Sequence, residues 1–278
     1  MKIIYTLLLT AILAYIIIGA ILYVNQRTFL YHPQFNTTHQ YKDIFLNNDS
    51  EKIQIIEINP KKERAIIYFG GNAEPVSNST EYIKKQFPDY AIYLMNYRGY
   101  GLSSGKPSEE GLFSDALALY DYIRESHDNI SIGGRSIGSG IAAYVASKRD
   151  IRKLALITPY NSIREIAQDK YPIYPMKLLL KDQYDTGSIV KDIAAETLII
   201  TAENDTLIPS KYSNNLIEKF KELKKVDLKT IEIKGRGHGD ISSDDKYFKA
   251  MQKFIDWYFG KKSNNLWKQP VKVALSQP

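Results

Sequence analysis

A serine hydroxyl attacks an acyl carbon only when a base takes its proton and fixed donors receive the charge that builds on the carbonyl oxygen. Ser136 lies in a setting suited to that work, Gly134-Arg135-Ser136-Ile137-Gly138. The G-x-S-x-G spacing fits a nucleophile elbow, a sharp strand-to-helix turn that presents the hydroxyl. The glycines are needed there because side chains would strike the tight backbone. The run NISIGG (129–134) precedes the serine as a strand, and IGSGIAAYVASK (137–148) follows as a helix. An ordinary helix N-cap also explains a serine at this place, but it leaves the flanking glycines without a reason.

The base must come from four histidines. His32 follows an apolar amino-terminal run, His39 sits in a polar loop, and His127 ends a helix. His238 occupies the glycine-rich loop GRGHGD (235–240) directly after a late strand, which lets the imidazole reach the sheet edge. A carboxylate is then required to fix the tautomer of that base. Asp205, in TLIITAENDTLIP (197–209), stands in a turn after the preceding strand, with Glu203 as its rival and Asp240 close beside His238. A plain turn aspartate is the alternative. The order Ser136, Asp205, His238 is one that hydrolytic triads use. For the oxyanion, the N–H of Ile137 supplies one donor. FGGNAE (69–74) offers a second through the N–H of Asn72, unless that loop is only a glycine-rich turn.

These residues need elements to position them. KIQIIEI (52–58), RAIIYF (64–69), AIYLMNY (91–97), NISIGG, KLALIT (153–158), TLIITA (197–202) and LKTIEIK (228–234) read as strands. Helical patterns fall between them at 79–87, 114–126, 137–148 and 210–223, and a last one spans 244–259. Near-continuous apolar strands alternating with helices predict an α/β fold, a mainly parallel sheet covered on both faces. Every candidate residue then lies at a carboxyl end of a strand, where such sheets bind ligands.

Bulk composition narrows the classes further. The chain has 278 residues and no cysteine, which excludes disulfides, thiolate metal sites and a lipid-modified cysteine. Of the formal +6 charge, Lys2 and Arg27 lie in residues 1–27 and four lysines in 261–278, so the body 28–260 is neutral. That argues against a nucleic-acid partner. Basic ends suit anionic lipid head groups, although a solvated tail explains 261–278 as well. Residues 3–24 are uncharged and mostly apolar, about 33 Å as a helix against a hydrocarbon core of about 30 Å. They predict an uncleaved membrane anchor rather than a cleaved signal peptide. The basic-led first segment favours an amino terminus inside and a body outside the cytosol. The expected organisation is an anchor (1–27), one catalytic domain (28–260, with a cap about 160–195) and a basic, disordered tail (261–278).

Taken together, the chain resembles the α/β-hydrolase superfamily, and within it a branch of amino-terminally anchored serine hydrolases that includes the α/β-hydrolase-domain depalmitoylases. The resemblance runs from FLYHP (29–33) to the last helix. It is carried by NYRGYGLSSGKPSEEGLFSDALALYDYI (96–123), GRSIGSG (134–140), TPYNSI with KYPIYP and LLLKDQYDT (158–186), ENDTLIP and GRGHGD. It implies an acyl hydrolase acting through Ser136, His238 and Asp205 with neither metal nor organic cofactor, on an ester or thioester of a lipid or acylated protein. A peptidase or amidase, or a silent scaffold, remains open on the same residues. The branch usually reads HGNAG where this chain has Gly70-Gly71-Asn72-Ala73-Glu74. A carboxylate pointing inward there would oppose an oxyanion, so Glu74 is expected to face solvent or cap the following helix. Tyr171, Tyr174, Met176 and Leu178–Leu180 are candidates for an apolar cap or acyl groove over Ser136, or for ordinary packing.

Overall fold

A computed structural model describes residues 1–35, 38–223 and 226–256. The predicted basic tail and the last residues of the final helix, 257–259, lie outside the described residues. Eight strands form one sheet: β1 (Lys42–Asn48), β2 (Glu51–Ile58), β3 (Arg64–Phe69), β4 (Tyr90–Met95), β5 (Asn129–Arg135), β6 (Lys153–Ile157), β7 (Glu196–Ala202) and β8 (Leu228–Ile233). Their order is β1-β2-β4-β3-β5-β6-β7-β8. β2 pairs antiparallel with β1 and β4, and every other pairing is parallel.

The helices are α1 (Lys2–Leu30), α2 (Thr80–Gln86), α3 (Glu109–Arg124), α4 (Ile137–Lys148), α5 (Ile163–Lys170), α6 (Met176–Leu179), α7 (Thr186–Ile189), α8 (Ser210–Leu223) and α9 (Asp245–Asp256). Successive strand residues point to opposite faces, and both faces are apolar. Ala65, Ile67 and Phe69 of β3 join α3, α4 and α8 in one core, whereas Ile66 and Tyr68 join α2 and α9 in the other. Doubly covered strands therefore read as continuous apolar runs.

The departures from the sequence reading have local causes. β1 is an edge strand with a single partner and alternating exposure, so KDIFLNN lacks the apolar run that marks the others. α3 begins at Glu109 rather than Ser114 because Ser108 caps it, its hydroxyl accepting from the Gly111 N–H at 3.1 Å. α1 runs through Asn25, Gln26 and Arg27 to Leu30 instead of ending near residue 24. Gln26 and Arg27 are tied to the segment after α6: Gln26 accepts from the Lys181 N–H at 2.6 Å, and Arg27 forms two hydrogen bonds with Asp182. No residue of α1 itself is buried, yet Tyr31, directly after it, belongs to the core.

Candidate active site

Ser136 stands between β5 and α4 with φ 53° and ψ −122°, a left-handed backbone that a non-glycine residue adopts at a cost on the order of 1–3 kcal/mol. Its N–H donates to the Ile157 carbonyl of β6 at 2.9 Å, which fastens the turn to the sheet. The motif glycines are steric necessities. A Cβ at Gly134 would strike the Gly138 carbonyl, and one at Gly138 would strike the Phe69 carbonyl at the end of β3. The elbow is thus wedged between its own helix and the neighbouring strand.

His238 and Asp205 meet across the loops that leave β8 and β7. His238 Nδ1 lies 2.8 Å from Asp205 Oδ2. An ionised carboxylate only accepts, so Nδ1 carries the proton and Nε2 is left as the acceptor. Asp205 Oδ1 accepts from the N–H groups of Leu207 at 3.0 Å and Ile208 at 2.7 Å, which fixes the carboxylate behind the ring. Glu203 and Asp240 are engaged elsewhere. Glu203 accepts from the Gly235 N–H at 2.8 Å and from Lys234 at 3.0 Å, and these, the backbone bond first, hold its pKa below the usual carboxylate range. Asp240 accepts from the Gly237 N–H at 2.7 Å, which lowers its pKa likewise. Both carboxylates shape the loop that carries His238, and neither touches its ring.

Ser136 and His238 line one cavity of about 670 Å³ together with Asn72, Ile137, Gly71 and His32. That volume is in the range of small-molecule sites. No hydrogen bond joins Ser136 to His238; catalytic contacts of this kind often tighten only when substrate arrives. Among the described residues, neither the Ile137 nor the Asn72 N–H donates to a protein acceptor. The Asn72 side chain is pinned from both sides: its Nδ2 donates to the Leu30 carbonyl, and its Oδ1 accepts from Tyr100 at 2.8 Å and from the His32 N–H at 3.2 Å. The chain leaving α1 therefore holds the loop after β3 in place. His32, set aside in the sequence reading, sits on the cavity wall.

Glu74 corrects an expectation. It neither faces solvent nor caps α2 but folds back under its own loop, its side chain 13% exposed. It accepts from the Gly71 N–H at 2.8 Å, Ser79 at 2.8 Å and Tyr68, and lies 3.4 Å from Arg135 Nη1. Four donors make an inward carboxylate tolerable, since a charge taken from water must be paired and hydrogen-bonded. Arg135 also donates through Nη2 to the His238 carbonyl at 2.7 Å. Burial works against its charge, but the oxygens of Tyr68 and Glu74 raise its pKa above the ordinary value. In the sequence Arg135 stands only as one position of the elbow motif. Its reach to two distant loops carries no local signal.

The remainder of the cavity is mostly apolar, with Gln26 and Lys170 among its polar lining residues. Ile163, Ile166, Ala167, Tyr171, Tyr174, Met176, Leu179 and Leu180 line it from the cap, and Gly19, Leu22, Tyr23, Phe29 and Leu30 line it from α1. The expected cap residues thus line the cavity that holds Ser136, except Leu178, which is 80% exposed.

No family model matches the chain. It is 31% identical over 154 residues to an uncharacterised protein of Mycobacterium tuberculosis, covering 54% of this chain and 53% of that protein. It is 24% identical over 203 residues to the α/β-hydrolase domain-containing protein aho-3 of Caenorhabditis elegans, covering 71% and 59%. Human ABHD12B is 28% identical over 177 residues, covering 55% and 49%. The chain spans about half the length of the curated relatives it matches. Among solved structures, the Pyrococcus furiosus esterase Pf2001 superposes with a TM-score of 0.66 at 16% identity, over 83% of this chain and all (100%) of that one. Est1E of Butyrivibrio proteoclasticus gives 0.62 at 18% identity over 77% and 97%. The sheet and its order are those of the α/β-hydrolase fold, which the solved neighbours share, and the relatives named above support kinship with that superfamily.

Proposed function

We propose that this protein is a membrane-anchored serine hydrolase that cleaves carboxylic esters or thioesters of acyl chains. One observation carries the reading: a strained Ser136 shares an apolar cavity with His238, whose ring is fixed by Asp205. In this reading Ser136 Oγ attacks the acyl carbon and His238 Nε2 accepts its proton, while Asp205 stabilises the imidazolium. The N–H groups of Ile137 and Asn72 receive the oxyanion, and losing one such donor costs on the order of 3–4 kcal/mol. Collapse of the tetrahedral species breaks the bond to the alcohol or thiol, which leaves with the proton from His238. Water then attacks the acyl-Ser136 ester by the same route and releases the acid.

The esterase neighbours and the apolar cavity favour an acyl ester over a peptide. The long apolar α1 supports anchoring, with the amino terminus inside and the catalytic domain outside the cytosol. The sequence resemblance to the depalmitoylase branch favours lipid or acylated-protein substrates. The test is turnover of matched p-nitrophenyl esters and peptide anilides by the full chain and its Ser136→Ala variant. Ester cleavage by the parent alone, with a transient acyl mass on the Ser136 peptide, is expected. Anilide cleavage that outpaces ester cleavage would make it an amidase instead.

A further inference from the structure

The cap does not only roof the cavity; it lies along α1. Tyr15 and Tyr174 stack with ring centroids 4.6 Å apart. Tyr174 donates to the Tyr15 carbonyl at 3.0 Å, and Tyr15 donates to the Ile173 carbonyl at 3.0 Å. At Gly19 a Cβ would sit 3.0 Å from the Tyr174 ring, so the missing side chain admits it. Further along, the Lys181 ammonium lies 4.3 Å from the centre of the Tyr23 ring, Gln26 bonds the Leu179 carbonyl at 3.2 Å, and Arg27 pairs with Asp182.

These contacts set the depth of the cap. A helix that crosses a hydrocarbon core of about 30 Å needs about 20 residues. If the crossing starts at Ile3, Tyr15 lies about 18 Å and Gly19 about 24 Å along it at ~1.5 Å per residue. Tyr174 and Ile173 therefore cannot be in water while α1 spans the bilayer. Tyr23, Lys181, Gln26 and Arg27 fall at the far boundary, where aromatic and cationic side chains collect.

The cap segment is built for that depth. Residues 171–176, YPIYPM, carry no charge, and Lys177, the one charged residue of 171–180, is exposed on a long stem that lets its ammonium reach the head groups. Ile173 is 69% and Leu178 80% exposed. Hydrocarbon tolerates irregular backbone only where its polar groups are paired. Pro172 and Pro175 have no N–H to satisfy. Gln168 donates to the carbonyls of Pro172 at 3.3 Å and Tyr174 at 3.0 Å and accepts from the Met176 N–H at 3.1 Å. The Tyr174 N–H bonds the Tyr171 carbonyl at 3.1 Å, and Tyr15 holds that of Ile173.

Resting on the reading of α1 as a span and Ser136 as a nucleophile, we infer that the segment Tyr171–Leu180 is immersed with α1 in one leaflet, and that the cavity receives its acyl chain sideways from that leaflet. The occupant is the acyl chain of a bilayer-resident ester. Its tail lies against Gly19, Leu22, Tyr174 and Met176, which line the cavity, while its carbonyl stops at Ser136.

The absence of cysteine makes the test direct. Ile173→Cys, Leu178→Cys, Leu9→Cys in α1 and Tyr122→Cys in α3 are made singly in the full chain, labelled with a nitroxide and reconstituted in phosphatidylcholine nanodiscs. Positions 173 and 178 should respond like position 9, relaxed by oxygen and shielded from an aqueous nickel chelate, and position 122 should show the reverse. Nickel access at 173 and 178 equal to that at 122 overturns the inference, as does water access at position 9.

A functional arm uses Ile173→Asp with Leu178→Asp, neither of which lines the cavity. The pair should lower kcat/KM for a long-chain ester held in phosphatidylcholine vesicles roughly tenfold or more and leave p-nitrophenyl acetate turnover unchanged, the sign of lost substrate binding rather than lost chemistry. Unchanged vesicle turnover overturns acyl entry from the leaflet. Loss of Ser136 reactivity in a parent whose cap is still immersed would sink the hydrolase reading and the acyl-entry half with it, but not the immersion.

Discussion

Glu74 and Asp205 show how differently two carboxylates can be read from residue types alone. Asp205 stands in the turn after a late strand, where the sequence puts a carboxylate within reach of His238, and the two side chains are hydrogen-bonded. The fate of Glu74 was not visible, because its donors come from β3, the elbow, the adjoining loop and the cap of α2. Tyr68, Gly71 and Ser79 lie within six residues of Glu74 but converge on it only once the loop folds, and Arg135 arrives from 61 residues away. Two predictions belong here. Asp205→Asn should lower turnover by about four orders of magnitude if it orients the base, and a loss under roughly tenfold would move that role to Glu203. Glu74→Ala removes the acceptor of Arg135 Nη1 and of the Gly71 N–H, which should cost on the order of 1–3 kcal/mol. At about 2–4 °C per kcal/mol for a domain of this size, that appears as a drop of several degrees in Tm. An unchanged melt would mean that Glu74 sits in water.

At the scale of elements, the strands buried on both faces were legible because each is a continuous apolar run, and α4 and α8 have the predicted bounds. β1 escaped because one partner and one solvated edge leave its residues free to be polar. The elbow is an element property as much as a residue property. Gly138 is squeezed by the Phe69 carbonyl, so α4 can approach β3 only without a side chain there. Gly138→Ala should destabilise the fold by about 1–3 kcal/mol or more through overpacking. Urea melts beside Gly239→Ala, whose Cβ would meet nothing within 4 Å, provide the check. Equal midpoints for the two variants would show that the helix can shift away freely.

For the whole molecule, the division at residue 27 expected from the sequence does not describe how α1 is used. The helix buries nothing of its own, yet it walls the cavity and its last turns are tied to the cap and, through Leu30 and His32, to Asn72. Apolar length was legible in residues 3–24; the docking of one face on the cap was not, because an anchor and a cavity wall ask for the same residues. Removing residues 1–25 should leave the sheet folded, with circular dichroism and a cooperative melt close to the parent's. Discrimination between long and short acyl esters should weaken, since Gly19, Leu22 and Tyr23 leave with the segment. Unaltered chain-length selectivity would remove α1 from the binding site. The central claim, an activated Ser136, is tested most directly by fluorophosphonate labelling of the full chain beside Ser136→Ala and His238→Ala, with the modified peptide located by mass spectrometry. The account predicts one adduct, on Ser136, in the parent alone. A well-folded parent that takes no label, or an adduct on another serine, would contradict it.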